Sequence, residues 1–91
     1  MMLSFLNPSR SFDASNSRVQ FWGYDSTIEI SFFVEGDALK HLCPEINNAE
    51  TGFLHAFDTA RDRIVEVAEK IYTSGKKRRF VLVLTAKDFK A

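Results

Sequence analysis

At 91 residues, with 45% hydrophobic and 26% charged side chains, the chain suits one domain spanning residues 1–91, because a chain this size buries only roughly 60–65% of its unfolded surface and makes a single core. Twelve Lys/Arg balance twelve Asp/Glu, so the whole chain lacks the net basic charge of a dedicated nucleic-acid coat. No apolar run approaches the roughly 20 residues that cross a bilayer, residues 1–6 lack the length and basic flank of a signal peptide, and the single Cys43 excludes an internal disulfide and fits a reducing, cytoplasmic setting.

From the N-terminus, Leu3 and Phe5 alternate like a short strand, Asn7-Pro8-Ser9 reads as a turn, and Ser11-Phe12-Asp13 reads as a second short strand leading into the polar loop Ala14-Ser15-Asn16-Ser17. Two stronger strands follow at residues 18–24 and 27–34, joined by Asp25-Ser26. A two-residue connection there pairs Tyr24 with Thr27, Trp22 with Glu29 and Gln20 with Ser31. One face then carries Val19, Phe21, Ile28, Ile30 and Phe32. The other carries Trp22, Tyr24 and Phe33 among Gln20, Glu29 and Ser31.

After Val34 the period changes, and residues 36–42 read as a short helix, capped at Glu35 or Gly36 and stopped by Pro44. The strongest signal in the chain is residues 48–74, where Phe53, Phe57, Ala60, Ile64, Val67 and Ile71 fall on one helical stripe, with Asp58, Asp62, Arg63, Glu66, Glu69 and Lys70 opposite. This predicts one long helix. Asn47 or Asn48 is its expected N-cap, Asn47 and Glu50 have capping-box spacing, Gly52 weakens the first turn and moves the start toward Thr51, and Gly75 suits a left-handed stop.

Beyond Gly75 come Lys76, Lys77, Arg78 and Arg79, then the apolar run of residues 80–84, expected to be a strand covered on both faces. Thr85 and Asp88 have capping-box spacing for a terminal turn that folds Phe89 back onto the core. Residues 1–74 hold six Lys/Arg against eleven Asp/Glu, and residues 75–91 hold six against Asp88 alone, so a basic pole follows an acidic body. The expected fold is α+β: a mostly antiparallel sheet of three to four strands, order β-β-β-α-α-β, with one long and one short helix on one face. The last strand lies parallel to residues 27–34 or to the first strand.

Such a fold leaves the second sheet face unexplained. Trp22, Tyr24 and Phe33, joined by Val81 and Val83 or else by Leu82 and Leu84, need the N-terminal segment, a second copy of the chain, or a ligand to cover them. The leading expectation is a non-enzymatic interaction or regulatory module that forms a homodimer through this aromatic face. The alternative is an accessory nucleic-acid-binding or transcription-regulatory protein that uses Lys76, Lys77, Arg78 and Arg79 on phosphates, with the aromatics stacking on bases. Those four cations also suit a plain helix-to-strand turn at the negative end of a helix dipole.

Other chemistry is weaker. His41, Cys43 and His55 are zinc-type ligands, but His41 and Cys43 are too close for a structural pair and a fourth ligand is missing. His55 with Asp58 at helical spacing could orient a general base, and Arg61 could hold an anion, but neither a nucleophile nor a Gly-rich phosphate loop accompanies them. No catalytic residue, metal or cofactor is therefore assigned, and the chain is expected not to be an enzyme.

The residues Val19 and Phe21, Ala38 and Leu39, Ala56 and Phe57 with Arg61 and Ile64, and Leu84 with Asp88 and Phe89 resemble the family of short bacterial proteins designated domain of unknown function 1488. Ala60 stands where that family often has asparagine, and Glu35 or Gly36 where a serine or threonine commonly caps the short helix. The resemblance implies a stand-alone bacterial α+β domain and carries over no catalytic residue.

Overall fold

The computed structural model describes residues 3–75 and 80–90. Five strands form one mixed sheet: β1 (Leu3–Ser4), β2 (Arg10–Asp13), β3 (Arg18–Asp25), β4 (Ile28–Glu35) and β5 (Val81–Leu84). The helices are α1 (Gly36–Leu42), α2 (Glu50–Thr59) and α3 (Arg61–Ser74), and a 3-10 turn, Ala86–Phe89, follows β5. The order is β1-β3-β4-β5, and β2 also pairs with β3, so β1 and β2 lie one after the other along a single edge of β3. All pairings are antiparallel except that of β5 with β4, which is parallel. The last strand thus lies beside β4, on the right of the two alternatives the crossover rule leaves open.

Strict alternation divides the sheet. Val19, Phe21, Ile30, Phe32 and Val34, with Leu82 and Leu84, are buried on one face with Ala38 and Leu39 of α1, Phe53, Ala56 and Phe57 of α2, and Ile64, Val67 and Ala68 of α3. The expected face membership holds even though the register does not. Asp25 pairs with Ile28, Tyr24 with Glu29 and Trp22 with Ser31, so the turn is Ser26-Thr27, one position later than expected. Ser26 supplies the left-handed backbone, φ 58°, that primed hairpin turns need at their first central position. Moving the turn by one residue shifts each cross-strand partner by two, which leaves every side chain on its original face.

The N-terminal strands extend the sheet and send their aromatics inward. Phe5 lies 5.7 Å from the Phe32 ring and 6.2 Å from Phe21, and Phe12 stacks on Phe53 at 5.8 Å. Gly23 makes room for the first of these, since a Cβ there would come within 2.8 Å of the Phe5 ring.

The long helix is broken. Ala60, at φ −101° and ψ 15°, leaves the helical basin between α2 and α3, while its N–H still donates to Ala56 and its carbonyl still accepts from Ile64. No proline or glycine marks the point and the apolar stripe runs through it, which is why the sequence reads as one helix. Neither expected end forms as anticipated. Ala49 is the N-cap without a side-chain hydrogen bond, Asn47 Oδ1 instead accepts from the Ala49 N–H at 3.3 Å, and Gly75 is extended rather than left-handed. Gly52 is buried because a Cβ would overlap the side-chain and backbone oxygens of Asn47. The terminal turn has its capping box, with the Thr85 N–H donating to Asp88 Oδ2 at 2.7 Å and Phe89 buried.

Candidate functional site

The surface with the most unusual composition is the sheet face opposite the helices. Trp22, Tyr24 and Phe33 all lie on it, half-buried by their neighbours. Cross-strand pairing sets two rows: Gln20, Phe33 and Val83 in one, Trp22, Ser31 and Val81 in the other. Val81 and Val83 are 56% and 40% exposed, and Phe80 is 54% exposed at the start of β5. The strand expected to be covered on both faces is therefore covered on one. Its outward valines complete the patch that the three aromatics begin. Among the described residues, no element lies over this face, because β1 and β2 join the sheet edge and all three helices pack on the other side.

Polar side chains frame the patch. The Arg18 guanidinium sits 3.9 Å over the Phe33 ring centroid while its Nε donates to Asp13 Oδ2 at 2.8 Å. Hydrogen bonds from the Asn16 side chain and from Arg18 hold the Asp13 carboxyl below the usual carboxylate range. Tyr24 donates its hydroxyl to Glu29 Oε2 at 3.1 Å and accepts from Asn7 Nδ2 at 3.5 Å. Phe33 thus has one face shielded and Tyr24 is held at its tip, which leaves Trp22 with the two valines as the least engaged apolar group.

A model of a protein family of unknown function, DUF1488, matches residues 3–84. The chain belongs to the DUF1488 family. A crystal structure of a family member of unknown function from Shewanella loihica PV-4 shares the fold, with a TM-score of 0.76, 23% sequence identity and 90% of each chain covered. No curated protein matches the chain.

The remaining sequence candidates in this DUF1488 chain separate. Lys76, Lys77, Arg78 and Arg79 lie outside the described residues. Asp58 does not orient His55: both its oxygens accept from Arg10 Nε and Nη2 at 2.9 Å, and this pairing pulls its carboxyl below the ordinary range. Arg61 turns toward the N-terminal connector, Nη2 donating to the Asn7 carbonyl at 3.4 Å, and its buried Nη1 has no hydrogen-bond partner. Cys43 and His55 line one open cleft of about 600 Å³ with Ile46, Thr51 and Thr59, whereas His41 does not line it. No group of three His, Cys, Asp or Glu among the described residues is placed to hold a metal. No described helix is long and apolar enough to cross a membrane.

Two members of the patch, Val81 and Val83, are not assigned from sequence alone. The signal that finds them is parity: once Leu84 and Leu82 are taken for the core, the alternate residues of the same strand must face the aromatics.

Proposed function

We propose that this DUF1488 protein is a non-enzymatic interaction or regulatory module that associates with a second copy of itself through the outer sheet face centred on Trp22. The observation that carries this reading is the apolar patch of Trp22, Phe33, Val81 and Val83, spread over two adjacent cross-strand rows inside a charged and hydroxylic frame, the core-and-rim arrangement of protein interfaces. The frame carries both signs, Arg18 beside Asp13 and Glu29 beside Tyr24. A patch with both signs can face its own image across a two-fold axis, which an isologous dimer requires. The lone Cys43 suits a reducing cytoplasm.

Size-exclusion chromatography with light scattering tests it. A dimer that Trp22→Ala converts to monomer is the expected result. A chain that stays monomeric at high concentration, or a dimer indifferent to Trp22→Ala, removes the face contact.

A further inference from the structure

The β5 edge has a geometry of its own. β5 pairs with β4 alone among the described strands and closes the sheet on that side. Ser31 N–H donates to the Phe80 carbonyl at 2.8 Å. In a parallel ladder this directs the Phe80 carbonyl and the Leu82 backbone groups at β4, and turns the N–H and C=O of Val81 and Val83 outward, away from the sheet. Natural edges are blunted by lysine, proline or bulges. Residues 80–84 contain none of these residue types and no charge, and Phe80, Val81 and Val83 are the exposed large apolar residues of this edge.

We propose that this edge pairs antiparallel with β5 of a second copy, making one continuous sheet across a two-fold axis at Leu82. The occupant follows from the register. Directly opposed residues in a ladder share a face, so Val81 and Val83, both on the outer face, must meet outer-face residues of the partner strand. Centring the axis on Leu82 opposes Val81 to Val83 of the second copy and Val83 to Val81. The outward N–H and C=O groups of both valines in both copies then form hydrogen-bonded pairs, and Leu82 meets its own mate at a non-hydrogen-bonded position. A centre midway between Leu82 and either valine would oppose inner to outer side chains, and a centre on Val81 or Val83 would leave one valine of each strand facing residues beyond β5. An uncharged edge has no ion-pair partner to offer a charged peptide but matches a second copy of itself. Edge pairing goes beyond the face reading, since it needs no contact between aromatic faces, and it sets the two Trp22 patches side by side on one surface.

Cross-linking tests it. Val81→Cys and Val83→Cys are made separately in a Cys43→Ser background, mixed dilute so that subunits exchange, concentrated, and oxidised with oxidised glutathione. Directly opposed residues lie within the Cα separation a disulfide spans. A covalent dimer in the mixture and in neither variant alone is the expected result. No covalent dimer in the mixture, or an equal yield from either variant alone, overturns the proposal. Circular dichroism melts matching the parent for both variants show that the exposed substitutions leave the fold intact. Light scattering of Trp22→Ala reads the face contact separately. A dimer lost in that variant with no Val81-to-Val83 cross-link overturns the edge, a cross-link that survives Trp22→Ala supports the edge, and a light-scattering mass unchanged by Trp22→Ala removes the face.

Discussion

Tyr72, near the end of α3, donates its hydroxyl to Asp25 Oδ2 at 2.6 Å across 47 positions of sequence, joining the last helix to the last residue of β3. Asp25 is a buried polar residue, 8% exposed. Leaving a buried acceptor unsatisfied costs about 1–3 kcal/mol. Tyr72→Phe keeps the ring and deletes the donor, so a loss of that size in urea unfolding with an unchanged m-value is expected. A midpoint shift within error of zero would show that water replaces the hydroxyl.

The Arg10–Asp58 pair has shorter reach despite its two-pronged geometry, because its side chains are 35% and 51% exposed. Exposed pairs contribute about 0.2–1 kcal/mol, so Asp58→Asn is expected to cost less than Tyr72→Phe. The pH dependence has a definite sign. Arg10 holds the folded-state Asp58 carboxyl below its ordinary value, so the contribution is complete above the unfolded carboxylate range, near pH 4, and disappears as pH falls through the lowered folded value. Asp13, held down by Asn16 and then Arg18, acts in the same direction. Stability measured from pH 7 down to pH 3 is expected to fall more steeply in the parent than in an Asp13→Asn, Asp58→Asn double variant. Parallel curves would assign the acid response to other carboxylates.

Face assignment was legible in the sequence because it depends only on parity. Val19, Phe21, Ile30 and Phe32 go inward and Trp22, Tyr24 and Phe33 outward whether Asp25-Ser26 or Ser26-Thr27 forms the turn between β3 and β4. Register was not legible, because it depends on which two residues form the turn, and Ser26-Thr27, with Ser26 at positive φ, forms it in place of the expected Asp25-Ser26. The Ala60 break has no residue signature, since alanine is the best helix former. The β1 and β2 pairings along one edge of β3 are non-local, and strands of two and four residues carry too few alternations to announce their partner. In the candidate site, three aromatics were legible, and whether Val81 and Val83 or Leu82 and Leu84 join them stayed open, because a uniformly apolar run does not say which of its two faces is the inner one.

Gly52 shows why a poor helix former sits in the first turn of α2. Its Cα lies against Asn47, whose oxygens occupy the place of a Cβ, and Asn47 in turn accepts from the Ala49 N–H. Gly52→Ala gains helix propensity of roughly 1 kcal/mol but forces the connector away, and overpacking of this kind costs about 1–3 kcal/mol. A net lower melting temperature is expected. A variant that melts higher would show that the connector moves freely and that the close approach has no structural weight.

Salt separates the two uses open to Lys76, Lys77, Arg78 and Arg79, which immediately precede the β5 run in sequence. Nucleic-acid binding through four cations weakens steeply as salt rises, because condensed counterions are released on binding. Self-association through an apolar patch releases no condensed counterions, so salt does not weaken it in this way. The single tryptophan lies in the proposed contact face, so Trp22 emission reports the encounter directly. Raising salt from about 50 mM to about 200 mM is expected to leave the light-scattering mass at fixed concentration undiminished and Trp22 emission unshifted. Replacing the four cations by serine is expected to leave any self-association intact. Association that falls with salt, together with RNA or DNA binding at low salt that the serine variant loses, would instead make the basic segment the functional surface.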